Sequence, residues 1–178
     1  LKLPQLQNLI KRDPQSYKDE FQMQKNHFIS ELEIFKLRPT KDSDRFTELV
    51  TFMSHVSACY KDECVAIPVS IMELLETKGG ILHIDVRAKL FQALVILRNK
   101  AMIDPLTLIK LSFKLFSIND KTLRVNLVEY IFNDIKAINH IKQNEKTNRS
   151  IQAFLFSVIE EDTTITARKT VQILCELY

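Results

Sequence analysis

The sequence predicts an all-α fold, more closely a HEAT/armadillo-like α-solenoid of about four helix pairs with a short N-terminal capping helix. Three observations predict it. Apolar residues recur at helical spacing, a weak repeat has a period of about 40 residues, and the 178 residues include only two glycines. Tight β-hairpins need residues with positive φ, usually glycine, so this scarcity disfavours a sheet. With 46% hydrophobic and 26% charged residues the chain is typical of globular proteins, and its length predicts a single domain over residues 1–178.

The first predicted element is the capping helix, from Leu3 to Arg12. Its leucines recur at helical spacing, and Lys11 and Arg12 supply the positive charges that suit a helix C-terminus. Asp13 then predicts the cap of the next helix, with Pro14 at its first position, where a missing N–H group costs nothing.

The second predicted helix covers residues 15–36 and has one aromatic stripe. The apolar residues of this stripe fall at offsets 0, 4, 11, 15 and 18, within about 60° of one another at 100° per residue. They are Tyr17, Phe21, Phe28, Leu32 and Phe35. The stripe predicts the face of this helix that is buried.

Four arginines mark the internal repeat, at spacings of 42, 37 and 44 residues. They are Arg45, Arg87, Arg124 and Arg168, and an apolar residue follows each by seven positions. Each begins a helical pattern that we pair with a preceding helix, at residues 15–36, 66–76, 105–117 and 147–160. Four such pairs fit HEAT and armadillo units of about 40 to 47 residues, although an irregular bundle with accidental arginine spacing is the alternative. We predict that Arg87 and Arg124 stabilise the repeats by bonding neighbouring loop carbonyls or acids.

The motifs of common enzymes are absent. The glycine pair Gly79-Gly80 is followed by Ile81, not by the Lys-Ser or Lys-Thr of a phosphate-binding loop. No Gly-x-Ser-x-Gly, His-Glu-x-x-His or Cys-x-x-Cys occurs, and the acidic run at residues 160–162 has no His or Ser to complete a catalytic site. We therefore predict no catalytic residue, no cofactor and no small-molecule substrate.

One cluster contains residue types that bind zinc. His55, Cys59 and Cys64 follow a His-x3-Cys-x4-Cys pattern, but structural zinc prefers four ligands, so ordinary packing is the favoured interpretation and no metal site is predicted.

Three cysteines without a secretory leader favour reduced thiols in an intracellular compartment. No apolar run approaches the roughly 20 residues of a membrane span, and because the sequence begins with Leu we expect a piece of a longer protein.

Positive charge is concentrated in one region of the chain. Residues 98–149 contain ten Lys or Arg and five Asp or Glu, a net charge of +5, whereas the remaining residues sum to −2. The candidate contacts to RNA or a protein partner are Lys136, Lys142, Lys146 and Arg149, around a loop predicted at residues 139–148. Such basic residues can neutralise phosphate, although simple solvation is the commoner role of a lysine-rich turn.

Several segments along the chain resemble one family. They are LPQLQNLIKRDPQSY near the start, then ELEIFKLRP, ELVTFM, ALVILRNK, DKTLR, NDIKAIN and ILCELY. They resemble the amino-terminal region of the SDA family (severe depolymerisation of actin), nucleolar proteins of ribosome biogenesis. The resemblance implies a non-enzymatic scaffold that works in large-subunit assembly and nuclear export, in the nucleus and nucleolus. The partners it implies are assembly factors and ribosomal proteins of precursor particles, with rRNA as a further contact and no membrane. The alternative is a transport or cargo-adaptor solenoid without RNA contact.

Overall fold

A computed structural model describes residues 2–39, 43–140, 144–161 and 164–177. Helices and turns, with no strand, make up this part of the chain. The α-helices are α1 (Leu3–Arg12), α2 (Lys18–Leu37), α3 (Asp44–Val56), α4 (Ala66–Lys78), α5 (Ile84–Asn99), α6 (Pro105–Leu115), α7 (Lys121–Asn139), α8 (Glu145–Glu161) and α9 (Thr164–Leu177). Two short 3-10 helices, Ser57–Cys59 and Asp62–Cys64, lie between α3 and α4. Within the described ranges, none of the helices has the length and apolar character that a bilayer crossing requires.

The predicted helix pairs are confirmed. α2 packs on α3, α4 on α5, α6 on α7 and α8 on α9, while α1 packs on α3 in the position of a capping helix. Within a unit, the second helices of successive pairs also pack on each other, α3 on α5 and α7 on α9. Stacking of this kind is what makes the core of an α-solenoid continuous from one repeat to the next.

The helices form two compact units, Leu1–Ile103 and Asp104–Tyr178, each with two of the helix pairs. The prediction of one domain over the whole chain stays a prediction. In the first unit, the Lys89 ammonium lies 3.5 Å from the Asp44 carboxylate, and the Lys100 ammonium bonds the His55 carbonyl oxygen. Both contacts join residues that are 45 positions apart. The start of α3 therefore lies beside the start of α5, and the two ends also lie side by side. These two helices run parallel, and neighbouring positions on them are one repeat apart in the sequence.

The start of α2 differs from the prediction. Asp13 does not cap it. The Asp13 carboxylate accepts hydrogen bonds from the Ser16 amide at 3.2 Å and the Ser16 hydroxyl at 2.6 Å, which closes a turn over residues 14–17. Because these bonds satisfy a turn rather than a helix end, α2 begins only at Lys18.

The buried face of α2 is the predicted aromatic stripe. Phe21, Phe28, Leu32 and Phe35 are buried, and Tyr17 is half-buried. Two of these rings stack near Phe46 of α3, with centroids 4.5 Å away for Phe35 and 6.4 Å for Phe28. The aromatic stripe thus fixes the packing of the first helix pair.

In the second unit, aspartate side chains cap the starts of two helices. Asp104 accepts a hydrogen bond from the Thr107 amide at 3.2 Å, and Asp120 accepts one from the Leu123 amide at 2.9 Å. In the first unit, the ring of His83 caps α5 by accepting a hydrogen bond from the Asp85 amide at 3.4 Å. The core of the second unit includes Phe113, which meets the ring of Phe154 edge-on at 5.3 Å.

Candidate partner-binding surface

Lys136 lies exposed in the last turn of α7. Its ammonium group stands over the ring of Phe132, 4.3 Å from the centroid. This cation–π contact holds the charge at the surface without neutralising it, because an aromatic ring has no net charge. Lys136 therefore remains available to an anionic partner.

The predicted basic loop at residues 139–148 is wrong in extent. α7 continues to Asn139 and α8 begins at Glu145, so Lys146 and Arg149 lie on the first turns of a helix. Both side chains are exposed, and Arg149 makes an ion pair with Glu145 one turn earlier. Lys142, the remaining candidate, lies outside the described residues.

The position of Lys146 in α8 is informative. The N-terminal turn of a helix carries partial positive charge, so a lysine there is mildly unfavourable for the helix itself. An exposed ion pair such as that of Arg149 contributes little to stability, about 0.3 to 0.5 kcal/mol for neighbours on a helix. Lys146 thus leaves a positive charge exposed at the surface, whereas Arg149 is paired with Glu145.

Arg87 and Arg124 have a common geometry. Each is the fourth residue of the second helix in its pair, and each guanidinium donates a hydrogen bond to a backbone carbonyl in the turn just before that helix. Arg87 bonds Leu82 at 2.7 Å, and Arg124 bonds Phe116 at 3.0 Å. Arg87 is buried and Arg124 is half-buried. This geometry is what a repeat-stabilising role needs, and the role itself stays a prediction. Of the other repeat arginines, Arg45 and Arg168 are exposed.

Sequence reasoning missed a second group of basic residues in the first unit, formed by Lys11, His55 and Lys100. These residues come from the ends of α1, α3 and α5, and Lys100 donates a hydrogen bond to the His55 carbonyl oxygen. Their spacing of 44 and 45 residues could have indicated this group, but the repeats were aligned on the four arginines instead.

The three cysteines differ in their surroundings. Cys64 is buried, and burial raises the pKa of its thiol, while Cys59 is half-buried and Cys175 is exposed. In the part of the chain that the structure describes, no three His, Cys, Asp or Glu side chains are grouped so as to hold a metal ion.

Comparison with known proteins identifies the family. A family model for the HEAT-repeat region of SDA1 proteins, described as "SDA1, HEAT repeat", matches residues 52–178. The chain belongs to the SDA1 family. The predicted resemblance is thereby confirmed, as is the all-α, HEAT-like solenoid class, in preference to an irregular bundle.

Relatives from distant organisms extend the SDA1 match over the whole chain. The protein SDA1 homolog of Dictyostelium discoideum is 39% identical over 178 residues, which is 100% of this chain and 24% of the relative. The homolog of Xenopus tropicalis is 40% identical over 176 residues, 99% of this chain and 26% of the relative. Protein sda1 of Schizosaccharomyces pombe is 35% identical over 159 residues, 89% of this chain and 22% of the relative. This SDA1-family chain thus spans about a quarter of the length of the curated relatives it matches.

Proposed function

We propose that this chain is a non-catalytic scaffold in large ribosomal subunit biogenesis and nuclear export, which docks on precursor particles through assembly factors, ribosomal proteins and rRNA. The observation that carries the proposal is membership of the SDA1 family across the chain. Stacked helix pairs suit such a role, because they offer a long surface to several partners and need no deep pocket. The proposed site of action is the nucleolus and the nucleus.

The protein contacts are assigned to apolar side chains on the outer face of α2. Met23, Ile34 and Leu37 lie within about 60° of one another on this helix, on the side opposite the buried aromatic stripe. These residues are 61%, 61% and 84% exposed, respectively. Large apolar groups at such exposure are common where a helix meets a protein partner.

The RNA contacts are assigned to Lys136, Lys142, Lys146 and Arg149 in the second unit. Lys136 keeps its charge beside an aromatic ring, and Lys146 is exposed on the first turn of α8. Lysine and arginine side chains bind the phosphate backbone by charge, so the affinity should fall steeply as salt is added.

The decisive variant changes Lys142, Lys146 and Arg149 to Glu. We expect it to associate less with purified precursor particles and to lose most of its salt-dependent binding to RNA. A matched control changes Arg38, Lys61 and Arg168 to Glu, because these exposed residues give the same change of net charge elsewhere. Particle association that is the same for the variant, the control and the wild type would refute the assigned RNA contact.

A transport or cargo-adaptor solenoid without RNA contact is the alternative, and the exposed apolar side chains of α2 are compatible with it. Crosslinking of purified precursor particles separates the two functions. The proposal requires crosslinks from this chain to large-subunit assembly factors or ribosomal proteins. Crosslinks only to proteins outside such particles would favour the adaptor.

A further inference from the structure

Three helix ends meet at one edge of the first unit. α1 ends at Arg12, α3 at Val56 and α5 at Asn99, and α3 packs against both of the others. Lys11, His55 and Lys100 stand at these ends, separated by 44 and 45 residues, which is one repeat. Each of these residues is thus about one repeat from the next and lies at the C-terminal end of its helix. We call them the basic edge.

Positive charges act on one another across the basic edge. Burial lowers the pKa of the Lys100 ammonium, and the charge of Lys11 lowers it further. Burial also lowers the pKa of the His55 imidazole, with Lys11 and Lys100 both adding to the effect. The charged groups that shift these two pKa values include no carboxylate. The thiol of Cys59 raises the pKa of Lys100 and so offsets part of this effect, but it ranks below burial and Lys11, and no such group acts on His55.

Helix ends account for part of this accumulation. A cation in the last turn suits the negative end of a helix, and Lys11 and Arg12 stand there in α1, as Arg98 does in α5. Lys100 lies just beyond the end of α5, is half-buried, and donates a hydrogen bond to the His55 carbonyl oxygen in the last turn of α3, which satisfies a terminal carbonyl. The same position holds its ammonium near Lys11, whose charge lowers its pKa. Three basic groups are thus gathered at one edge of the unit, and perturbed pKa values of this kind are frequent at ligand sites.

We propose that the basic edge binds the phosphate backbone of RNA, through the ammonium groups of Lys11 and Lys100 and the imidazole of His55. The inference rests on the proposed contact with RNA, and it adds a second contact in a different unit. Lysine ammonium groups are established binders of phosphate, which they hold as compact point charges, and the carboxylates of an acidic protein are the competing ligand that the experiment below separates. Contacts to the backbone alone do not read the base sequence.

The proposal makes a quantitative prediction about salt. Each phosphate contact on a single strand contributes about 0.7 to the slope of log affinity against log salt concentration. Changing Lys11 and Lys100 to Gln should therefore lower that slope by about 1.4 and weaken binding at low salt about tenfold or more. Fluorescence anisotropy with a labelled single-stranded oligonucleotide, measured from 50 to about 200 mM salt, gives both quantities.

Controls separate binding from folding. Lys11 is exposed, so Lys11→Gln alone should leave the chain folded and still lower the slope by about 0.7. Lys100→Arg keeps the charge and should retain most of the affinity. Arg38→Gln with Lys61→Gln removes two exposed cations elsewhere in the unit and should have no more than a small effect. Equal slopes for the wild type and the Lys11/Lys100 double variant would overturn the proposal.

The imidazole of His55 offers a direct signature. A bound phosphate brings negative charge close to the ring, so its pKa should rise when RNA is added. Proton–carbon NMR of the imidazole follows this shift, with His27, His83 and His140 of the same chain as internal references. A His55 titration that is identical with and without saturating RNA would also overturn the proposal.

The outcome is distinguishable from failure of the proposed function. If the Glu variant at Lys142, Lys146 and Arg149 loses RNA binding and the Lys11/Lys100 variant does not, the basic edge is refuted and the second-unit contact stands. The reverse result refutes the second-unit contact and supports the basic edge. If the Lys11/Lys100 variant loses binding to polyglutamate while its binding to RNA is unchanged, the ligand is an acidic protein and the inference is refuted.

Discussion

The hydroxyl group of Tyr60 donates a hydrogen bond to the backbone carbonyl oxygen of Pro14 at 2.7 Å, across 46 residues of chain. The ring of Tyr60 is buried and stacks on Phe21 of α2, with centroids 3.9 Å apart. The turn before α2 is therefore fixed to the segment between α3 and α4. Burial raises the pKa of Tyr60, so the hydroxyl stays a donor at any physiological pH.

Tyr60→Phe should lower the free energy of unfolding by about 0.5 to 1.5 kcal/mol, the usual contribution of one hydrogen bond. The stacking on Phe21 stays, so the loss is restricted to that bond. Tyr60→Ala removes the ring as well and should cost about 3 to 5 kcal/mol. Urea unfolding of both variants measures the difference, and equal losses would show that the hydroxyl group, not the ring, carries the stability.

Arg87→Met and Arg124→Met should each destabilise the chain, because they remove a charged donor from a turn carbonyl while keeping an unbranched side chain. Hydrogen bonds to charged groups contribute about 1.5 to 3 kcal/mol, and the buried Arg87 should lie nearer the upper value. Arg168→Met is the matched control, since that side chain is exposed. Three equal unfolding free energies would contradict the repeat-stabilising role.

Ala101→Gly should stabilise the chain. Ala101 has a φ of 56°, in the left-handed region that closes α5, where an L-residue with a side chain costs about 1 to 2 kcal/mol. Since glycine loses more freedom on folding, the net gain should be about 0.5 to 1 kcal/mol.

Replacing glycine with alanine, the opposite change, should stabilise the chain at Gly80. No glycine in the described ranges has a positive φ, and a Cβ at Gly80 meets nothing within 4 Å, so Gly80→Ala should gain about 0.4 to 1 kcal/mol. Ala88→Gly, inside α5, should instead cost about 1 kcal/mol. Calorimetry gives the three unfolding temperatures, and a lower value for Ala101→Gly than for the wild type would disprove the account.

Stability should decrease as the pH falls from about 7.5 to 5.5. The ordinary pKa of histidine is about 6.5, and that of His55 is lower in the folded chain because of burial and the charges of Lys11 and Lys100. Below about pH 6.5 the unfolded chain therefore binds the proton more readily, which favours unfolding. His55→Gln should reduce this dependence, whereas His140→Gln, at an exposed residue, should not. Parallel pH profiles for His55→Gln and the wild type would refute this assignment.

Most of the fold could be predicted from the sequence because its signals are local. Helical periodicity indicated the buried face of α2, and an Asp-Pro pair does start α6, where Asp104 caps the helix and Pro105 is its first residue. The same pair at residues 13 and 14 gave a wrong prediction of the start of α2, because Ser16 bonds the Asp13 carboxylate in a turn. The spacing of apolar residues does not show whether an aspartate side chain is more stable as a helix cap or as part of a turn.

The candidate surface was harder to predict than the helices. Composition drew attention to the basic region, but residues 139–148 were taken for a loop although residues 145–148 form the first turn of α8. The basic edge depends on residues about 45 positions apart, brought together only when helices stack in register. Such proximity has no signal in a single sequence unless the exact repeat length is already known.

The packing of each unit is local along the chain. The main packing partners of each described helix lie no more than two helices away. Contacts of short range close small loops, so such folds form in microseconds to milliseconds. Synthesis proceeds at about 5 to 20 residues per second, so a repeat of about 45 residues takes some seconds to emerge. Within each unit the first helix pair can therefore form while the second is still being translated, and its apolar face is exposed only until that second pair arrives.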